Sequence, residues 1–199
     1  MPRLLIVTAH PDPHSFTRAL TERMAVAGRS AGAEVDLCDL YREDFDPRLT
    51  ISEAKGLPTD DPAVQAHIAR LVAADGLIIV HPNWWGGPPA LMKGWIDRVF
   101  APGAAYDFEK KIDEGGTPIP LLKTRAALVV NTSNTAADRE QAVFGDPLER
   151  MWRDCLLSYC GVRQIDRWVL RIIATSTPGQ RALWLDEAET RVRGLIQSL

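Results

Sequence analysis

The sequence predicts an α/β protein built on a parallel, doubly wound sheet of five strands with helices on both faces. Three observations carry that expectation. Short apolar runs rich in β-branched residues recur along the chain, stretches with helical spacing alternate with them, and Gly, Pro and polar clusters separate the two kinds of segment. Right-handed crossovers between parallel strands place helices on both sides of the sheet, so its central strands read as continuous apolar runs.

The elements follow in order. Residues 4–8 (LLIVT) form the first strand, and residues 15–27 set Phe16, Leu20, Met24 and Ala27 on one helical face, with Gly28 and Gly32 breaking that helix. Residues 35–40 are the second strand. Residues 41–60 are polar and irregular, an excursion over the surface. Asp61 is placed as an N-cap and Pro62 as the first position of a helix running through Val64, Ile68 and Leu71. Residues 76–80 (GLIIV) read as a fully buried third strand, and from Pro88 a helical pattern continues through Leu91, Trp95, Ile96 and Val99. Residues 102–123, rich in Gly, Pro and charge, read as a long mobile loop. Residues 126–131 are a fourth strand, residues 147–159 a helix, residues 164–172 a fifth strand and residues 178–197 a closing amphipathic helix.

Composition narrows the function classes. A chain of 199 residues, 46% hydrophobic and 25% charged, is long enough for one sizeable core and is read as one domain. It holds no apolar run near the length of a membrane span and no export signal, which points to the cytoplasm. Cys38, Cys155 and Cys160 are odd in number, lie in apolar patterns and match no metal spacing, so they read as buried, reduced thiols. A net charge of −3 with dispersed arginines gives no footprint for nucleic acid.

Five strands suit the three-layer flavodoxin-like order 2-1-3-4-5, in which the ligand lies outside the carboxyl ends of the strands at the switch point between strands one and three. Three loops meet there: residues 9–16, 81–88 and 131–139. The first, AHPDPHSF, lacks a dinucleotide fingerprint and a Walker lysine, but it brings His10, His14 and Ser15 to a helix start, where free N–H groups favour a phosphate. Ser15 also suits a plain N-cap. A metal held by His10, Asp12 and His14 is disfavoured, because the adjacent prolines stiffen the loop and no fourth ligand is evident. The second loop opens HPNWWGGPPALMKGWIDRVF, a stiff segment whose aromatic faces suit a flat, conjugated ligand; the competing reading is that Trp84 and Trp85 cap a core. The third loop, NTSNTAADRE, offers short polar side chains that hydrogen-bond the edge of a heteroaromatic ring, and also suits a structural turn.

On AHPDPHSF, HPNWWGGPPALMKGWIDRVF, AYDF at residues 105–108 and CG at residues 160–161, the chain resembles the flavodoxin-like-fold NAD(P)H dehydrogenase (quinone) family. That is the DT-diaphorase type with its small bacterial relatives, among them potassium-efflux ancillary proteins. The resemblance implies a flavin, FMN rather than FAD, with His10, Ser15 and Phe16 near its phosphate and Thr17 near the ribityl chain or pyrophosphate. Pro82, Asn83, Trp84 and Trp85 would pass along the isoalloxazine, and Thr132, Ser133 and Asn134 would meet its polar edge. It implies hydride transfer from NAD(P)H to a quinone or similar electrophile in a ping-pong cycle, and a homodimer whose partner covers the flavin. Trp95, Phe100, Tyr106 and Phe108 offer more aromatic surface than one small domain buries, which fits a dimer. The alternative the resemblance carries is an ancillary, flavin-binding subunit of a potassium-efflux transport system. A one-electron carrier is a third class, against which a net charge of only −3 argues.

Two departures stand out. The Tyr and His that DT-diaphorase-type enzymes carry beyond the third loop are missing from AADREQAVFGDP, so no catalytic residue is assigned. The acidic-Gln pair before strand three is His67–Ile68 here, which removes a contact to the adenosine side of FAD and leaves Ile68 as a core residue. Lys93 is read as a solvated or dimer-facing lysine.

Overall fold

A computed structural model describes residues 1–109 and 118–199. Its strands are β1 (Arg3–Thr8), β2 (Glu34–Asp39), β3 (Gly76–Pro82), β4 (Tyr106–Phe108), β5 (Pro118–Pro120), β6 (Ala126–Ser133) and β7 (Gln164–Arg171). The helices are α1 (Phe16–Ser30), α2 (Ile51–Ala54), α3 (Pro62–Ala73), α4 (Ala90–Val99), α5 (Ala137–Val143), α6 (Pro147–Glu149), continued by a π-helical segment Arg150–Leu157, and α7 (Pro178–Gln197).

The main sheet runs β2-β1-β3-β6-β7, all parallel, which is the order 2-1-3-4-5 expected from the sequence. Every residue of β3 and of β6 is buried, as strands covered on both faces must be. Two apolar cores result. One, on the face holding α3 and α4, contains Leu77, Ile79, Trp95, Val99, Val129 and Trp152; the other, under α1 and α7, contains Leu4, Ile6, Leu20, Met24, Ile78 and Val192.

Local chemistry fixes the helix starts. The Ser15 hydroxyl accepts from Arg18 N–H, Asp61 accepts from the N–H groups of Ala63 and Val64 ahead of Pro62 at the first turn, and Thr177 caps α7. Gly28 does not break α1, contrary to the sequence reading. It sits inside the helix where a Cβ would lie 2.8 Å from Val35 Cγ2, so its lack of a side chain lets α1 close on the sheet. Gly32, at φ +86°, makes the turn.

Four further expectations change. Residues 102–123 are not simply a loop: Tyr106–Phe108 pairs antiparallel with Pro118–Pro120, while residues 110–117 lie outside the described residues. Trp95 and Phe100 are buried, packed edge to face at 5.5 Å, so they supply no aromatic surface for a dimer; Tyr106 and Phe108 are half-buried. Cys38 and Cys160 are buried thiols, but Cys155 is exposed, because the π-helical i→i+5 pairing of Arg150–Leu157 rotates it off the apolar face. Finally, a short helix, α5, follows the third loop where none was expected.

The excursion after β2 is anchored rather than loose. Arg98 of α4, almost fully buried, donates to Glu53 Oε1 at 2.9 Å, to Asp61 Oδ2 at 3.2 Å and to the Asp46 carbonyl at 2.8 Å. Gly94 lies against Pro47 with no room for a Cβ, which explains the glycine of the KGW motif. Lys93 pairs at the surface with Asp97, and Ile68 packs against the core.

Candidate functional site

The carboxyl ends of β1, β3 and β6 open into a cavity of about 420 Å³. Its walls include His10, Ser15, Phe16, Thr17, Pro82, Asn83, Trp84, Thr132, Ser133 and Asn134, so ten of the eleven residues singled out in the sequence converge on one space. The eleventh, Trp85, stands fully exposed beside it. A larger cleft of about 490 Å³ lies at the opposite end of the sheet, between β6, β7 and α7, but its charged pair Arg191–Asp166 is closed on itself at 2.7 Å.

The first loop is ordered by its own side chains. His10 Nδ1 accepts from Asp12 N–H at 3.1 Å and Asp12 Oδ1 from His14 N–H at 2.8 Å, which leads the chain into Ser15 and the start of α1. At the first two helical positions, Phe16 and Thr17, backbone N–H groups have no intrahelical partner. With the helix dipole they favour an anion, by about 0.3–1 kcal/mol for the dipole when exposed. Arg181 of α7 adds a cation there: its guanidinium stacks over Phe16 at 5.5 Å and donates to the Ser176 hydroxyl and the Ile173 carbonyl. The sequence reading missed Arg181, since an arginine one turn into an amphipathic helix carries no signal of its own. The Thr17 hydroxyl meets Thr132 Oγ1 at 2.9 Å, tying α1 to β6.

The second loop closes as a two-residue turn. Trp84 and Gly87 exchange N–H···O=C bonds at 3.0 Å, with Trp85 at φ +56° and Gly86 at φ +75°, the pair of positive φ values that a type I′ turn requires. Glycine takes that conformation freely; for a tryptophan it costs about 1–2 kcal/mol. Asn83 anchors the turn, its N–H donating to the Thr132 carbonyl at 2.7 Å and its Oδ1 accepting from Gly86 N–H at 3.0 Å. Trp84 is 41% exposed and tilts against His10 at 6.0 Å between ring centres. Neither tryptophan caps a core.

Beneath the loop lies a polar frame. His81, fully buried, donates from Nδ1 to the Pro82 carbonyl at 2.8 Å, while Nε2 accepts from Trp152 Nε1 at 2.9 Å and from Asn131 Nδ2 at 3.1 Å. Burial pushes its pKa down to about 4, so the ring is neutral at pH 7, as both incoming N–H groups require. Asn131 Oδ1 is held in turn by Arg167 at 2.7 Å.

Away from the cavity, Cys38, Glu43 and His67 also gather. There His67 Nδ1 faces both Cys38 Sγ (3.4 Å) and the Trp95 indole N–H (3.3 Å), Nε2 faces Glu43 (3.3 Å), and Arg70 occupies Glu43 at 2.7 Å. Burial pushes the Cys38 thiol up, so it stays protonated and behaves as packing.

Comparison with known proteins decides the kinship: a family described by its flavodoxin-like fold matches residues 2–193. The chain belongs to that family. It is 31% identical over 81% of its length, and 80% of the other's, to an NAD(P)H oxidoreductase of Haemophilus influenzae, and 28% identical over 96% of its length, and 76% of the other's, to the rat NAD(P)H dehydrogenase [quinone] 1. Among solved structures, the NAD(P)H:quinone oxidoreductase of Methanothermobacter marburgensis superposes with a TM-score of 0.82 at 26% identity, covering 98% of both chains. The NAD(P)H dehydrogenase (quinone) resemblance read from the motifs is therefore upheld.

Proposed function

We propose that the protein is a flavin-dependent NAD(P)H oxidoreductase that reduces quinones or similar flat electrophiles, with FMN as its cofactor. The observation that carries the reading is the convergence of three loops of unlike chemistry on the one cavity: an anion site, an aromatic wall and a polar edge. The donor set fits FMN. His10, Ser15 and the free N–H groups at Phe16 and Thr17, with Arg181, would hold the phosphate, Pro82–Trp85 would flank the isoalloxazine, and Thr132, Ser133 and Asn134 would meet its heteroatom edge. When bound, the flavin supplies hydride acceptance from the nicotinamide and delivery to the acceptor.

The chain's own residues then position and exclude rather than react. The turn at Trp84–Gly87 presents backbone and indole to the ring, Thr17 and Thr132 lock α1 to β6 behind it, and the open side of the cavity admits donor and acceptor in turn. Ping-pong kinetics follow from one shared space. Relatives named as NAD(P)H oxidoreductases and quinone dehydrogenases support the reaction class. The reading includes a homodimer: Trp84 and Trp85, exposed at the cavity mouth, are the apolar surface a second copy would cover. It also places the protein in the cytoplasm; among the described residues no helix is long and apolar enough to cross a membrane.

The experiment is to load the protein with FMN and mix it anaerobically with NADH or NADPH, then vary NAD(P)H against a soluble benzoquinone. Bleaching of the flavin and parallel double-reciprocal lines are expected. No bleaching by either nucleotide overturns the enzyme reading, and bleaching that requires an added membrane fraction overturns it in favour of an ancillary subunit.

A further inference from the structure

Glu140 is a carboxylate buried beneath the candidate site's third loop, and neither its position nor its chemistry is explained by cofactor contact. It lies in α5, 2% exposed, and its two oxygens point to different neighbours. Oε1 accepts from Asn83 Nδ2 at 3.3 Å and Oε2 from Arg171 Nη2. Arg171 ends β7 opposite Ser133, so one side chain joins the second loop, the helix after the third loop and the edge of the sheet.

The chemistry of the pair fixes an orientation. A carboxylate only accepts hydrogen bonds, so Asn83 must turn its NH₂ toward Glu140 and its Oδ1 toward Gly86 N–H. That is the acceptor the turn needs, because Gly86 N–H has no other partner among the described residues and Trp85 beside it is held at φ +56°. A conformation that costs a tryptophan free energy persists only where its surroundings over-determine it.

We infer that Glu140 is a positioning residue: its charge, held by Arg171, sets the Asn83 amide and thereby clamps the Trp84–Gly87 turn in the shape it presents to the cavity. The consequence for cofactor binding rests on the flavin reading above; the clamp itself does not.

Glu140→Gln tests it sharply. Arg171 only donates, so the introduced amide must turn its oxygen to Arg171 and its NH₂ to Asn83. The Asn83 amide then flips, and an NH₂ faces the Gly86 N–H. In the double variant Asn83→Asp, Glu140→Gln, the carboxylate at position 83 accepts from both sides and the clamp is restored. Amide hydrogen exchange in the cofactor-free protein reads this directly, with Ile79 in β3 as a core reference, and FMN dissociation constants are measured alongside.

Glu140→Gln is expected to cut Gly86 protection about tenfold or more with Ile79 unchanged and to weaken FMN by a similar factor, and the double variant, which also alters the cavity wall at position 83, to recover the Gly86 protection. Unchanged Gly86 protection, or loss at Gly86 and Ile79 together without recovery in the double variant, overturns the inference. Wild-type protein that binds no FMN while Gly86 responds as described would instead fail the flavin reading and leave the clamp standing.

Discussion

Two loops leave the same end of the sheet and use their polar groups in opposite ways. The strap between β2 and α3 turns inward: Arg98 gathers Glu53, Asp61 and the Asp46 carbonyl, and Gly94 lets Pro47 settle onto α4. The turn between β3 and α4 turns outward, with Trp85 fully exposed in a conformation costly for it and the neighbouring helix start leaving its N–H groups free. The strap satisfies itself and so is architecture. The turn and the loops beside it leave donors and aromatic faces unused, which is what a binding site requires before its ligand arrives.

The largest effect should come from breaking the strap. Arg98→Ala strands the nearly buried Glu53 carboxylate and should destabilise the fold by about 3–5 kcal/mol in urea unfolding, with FMN affinity per folded molecule unchanged. A selective loss of FMN binding in that variant would erase the distinction between the two loops.

Next comes pH, through the frame under the turn. Burial lowers the pKa of His81 to about 4, whereas an imidazole in the unfolded chain protonates near 6.5. Between those values the unfolded state binds more protons, so this contribution is complete above pH 6.5 and is lost as pH falls towards 4, by at most roughly 3 kcal/mol. Burial lowers His67 in the same direction. Urea midpoints that stay level from pH 7.5 to 5 would show that neither ring is held neutral.

Smaller effects sharpen the outward half. Trp84→Ala should weaken FMN by about 1–3 kcal/mol, by analogy with aromatic stacking on planar bases, while leaving stability nearly unchanged. In protein diluted to the monomer, Trp85→Gly should raise stability by about 1 kcal/mol, since glycine adopts φ +56° freely and the exposed indole has no buried contact within its own chain. A monomer melt in which Trp85→Gly is less stable would mean that the indole packs on its own chain where the exposed turn gives it nothing to pack on.

The contrast between the loops also explains what the sequence disclosed. Sheet order and the three converging loops were legible because continuous apolar runs such as GLIIV and AALVV have few other uses, and because Trp84–Trp85, His10 and the Thr132–Asn134 cluster sit at strand ends, where the topology brings them together. Hidden were features that depend on a distant partner. Glu140 is one more charge in a polar stretch until Asn83 and Arg171 meet it, and Arg181 carries no signal until Phe16 lies under it. Gly28 resembled a helix breaker because close approach to Val35 leaves no local mark. Cys155 was misplaced because a π-helical segment changes the phase on which periodic reading relies.

The central claim, that the outward-facing loops enclose a flavin, is tested most directly by titrating cofactor-free protein with FMN and following its stability. At 100 times the dissociation constant the account predicts a gain of about 2.7 kcal/mol in wild type, reduced in Trp84→Ala at the same FMN concentration. No gain from saturating FMN or FAD, or a gain undiminished in Trp84→Ala, would contradict it.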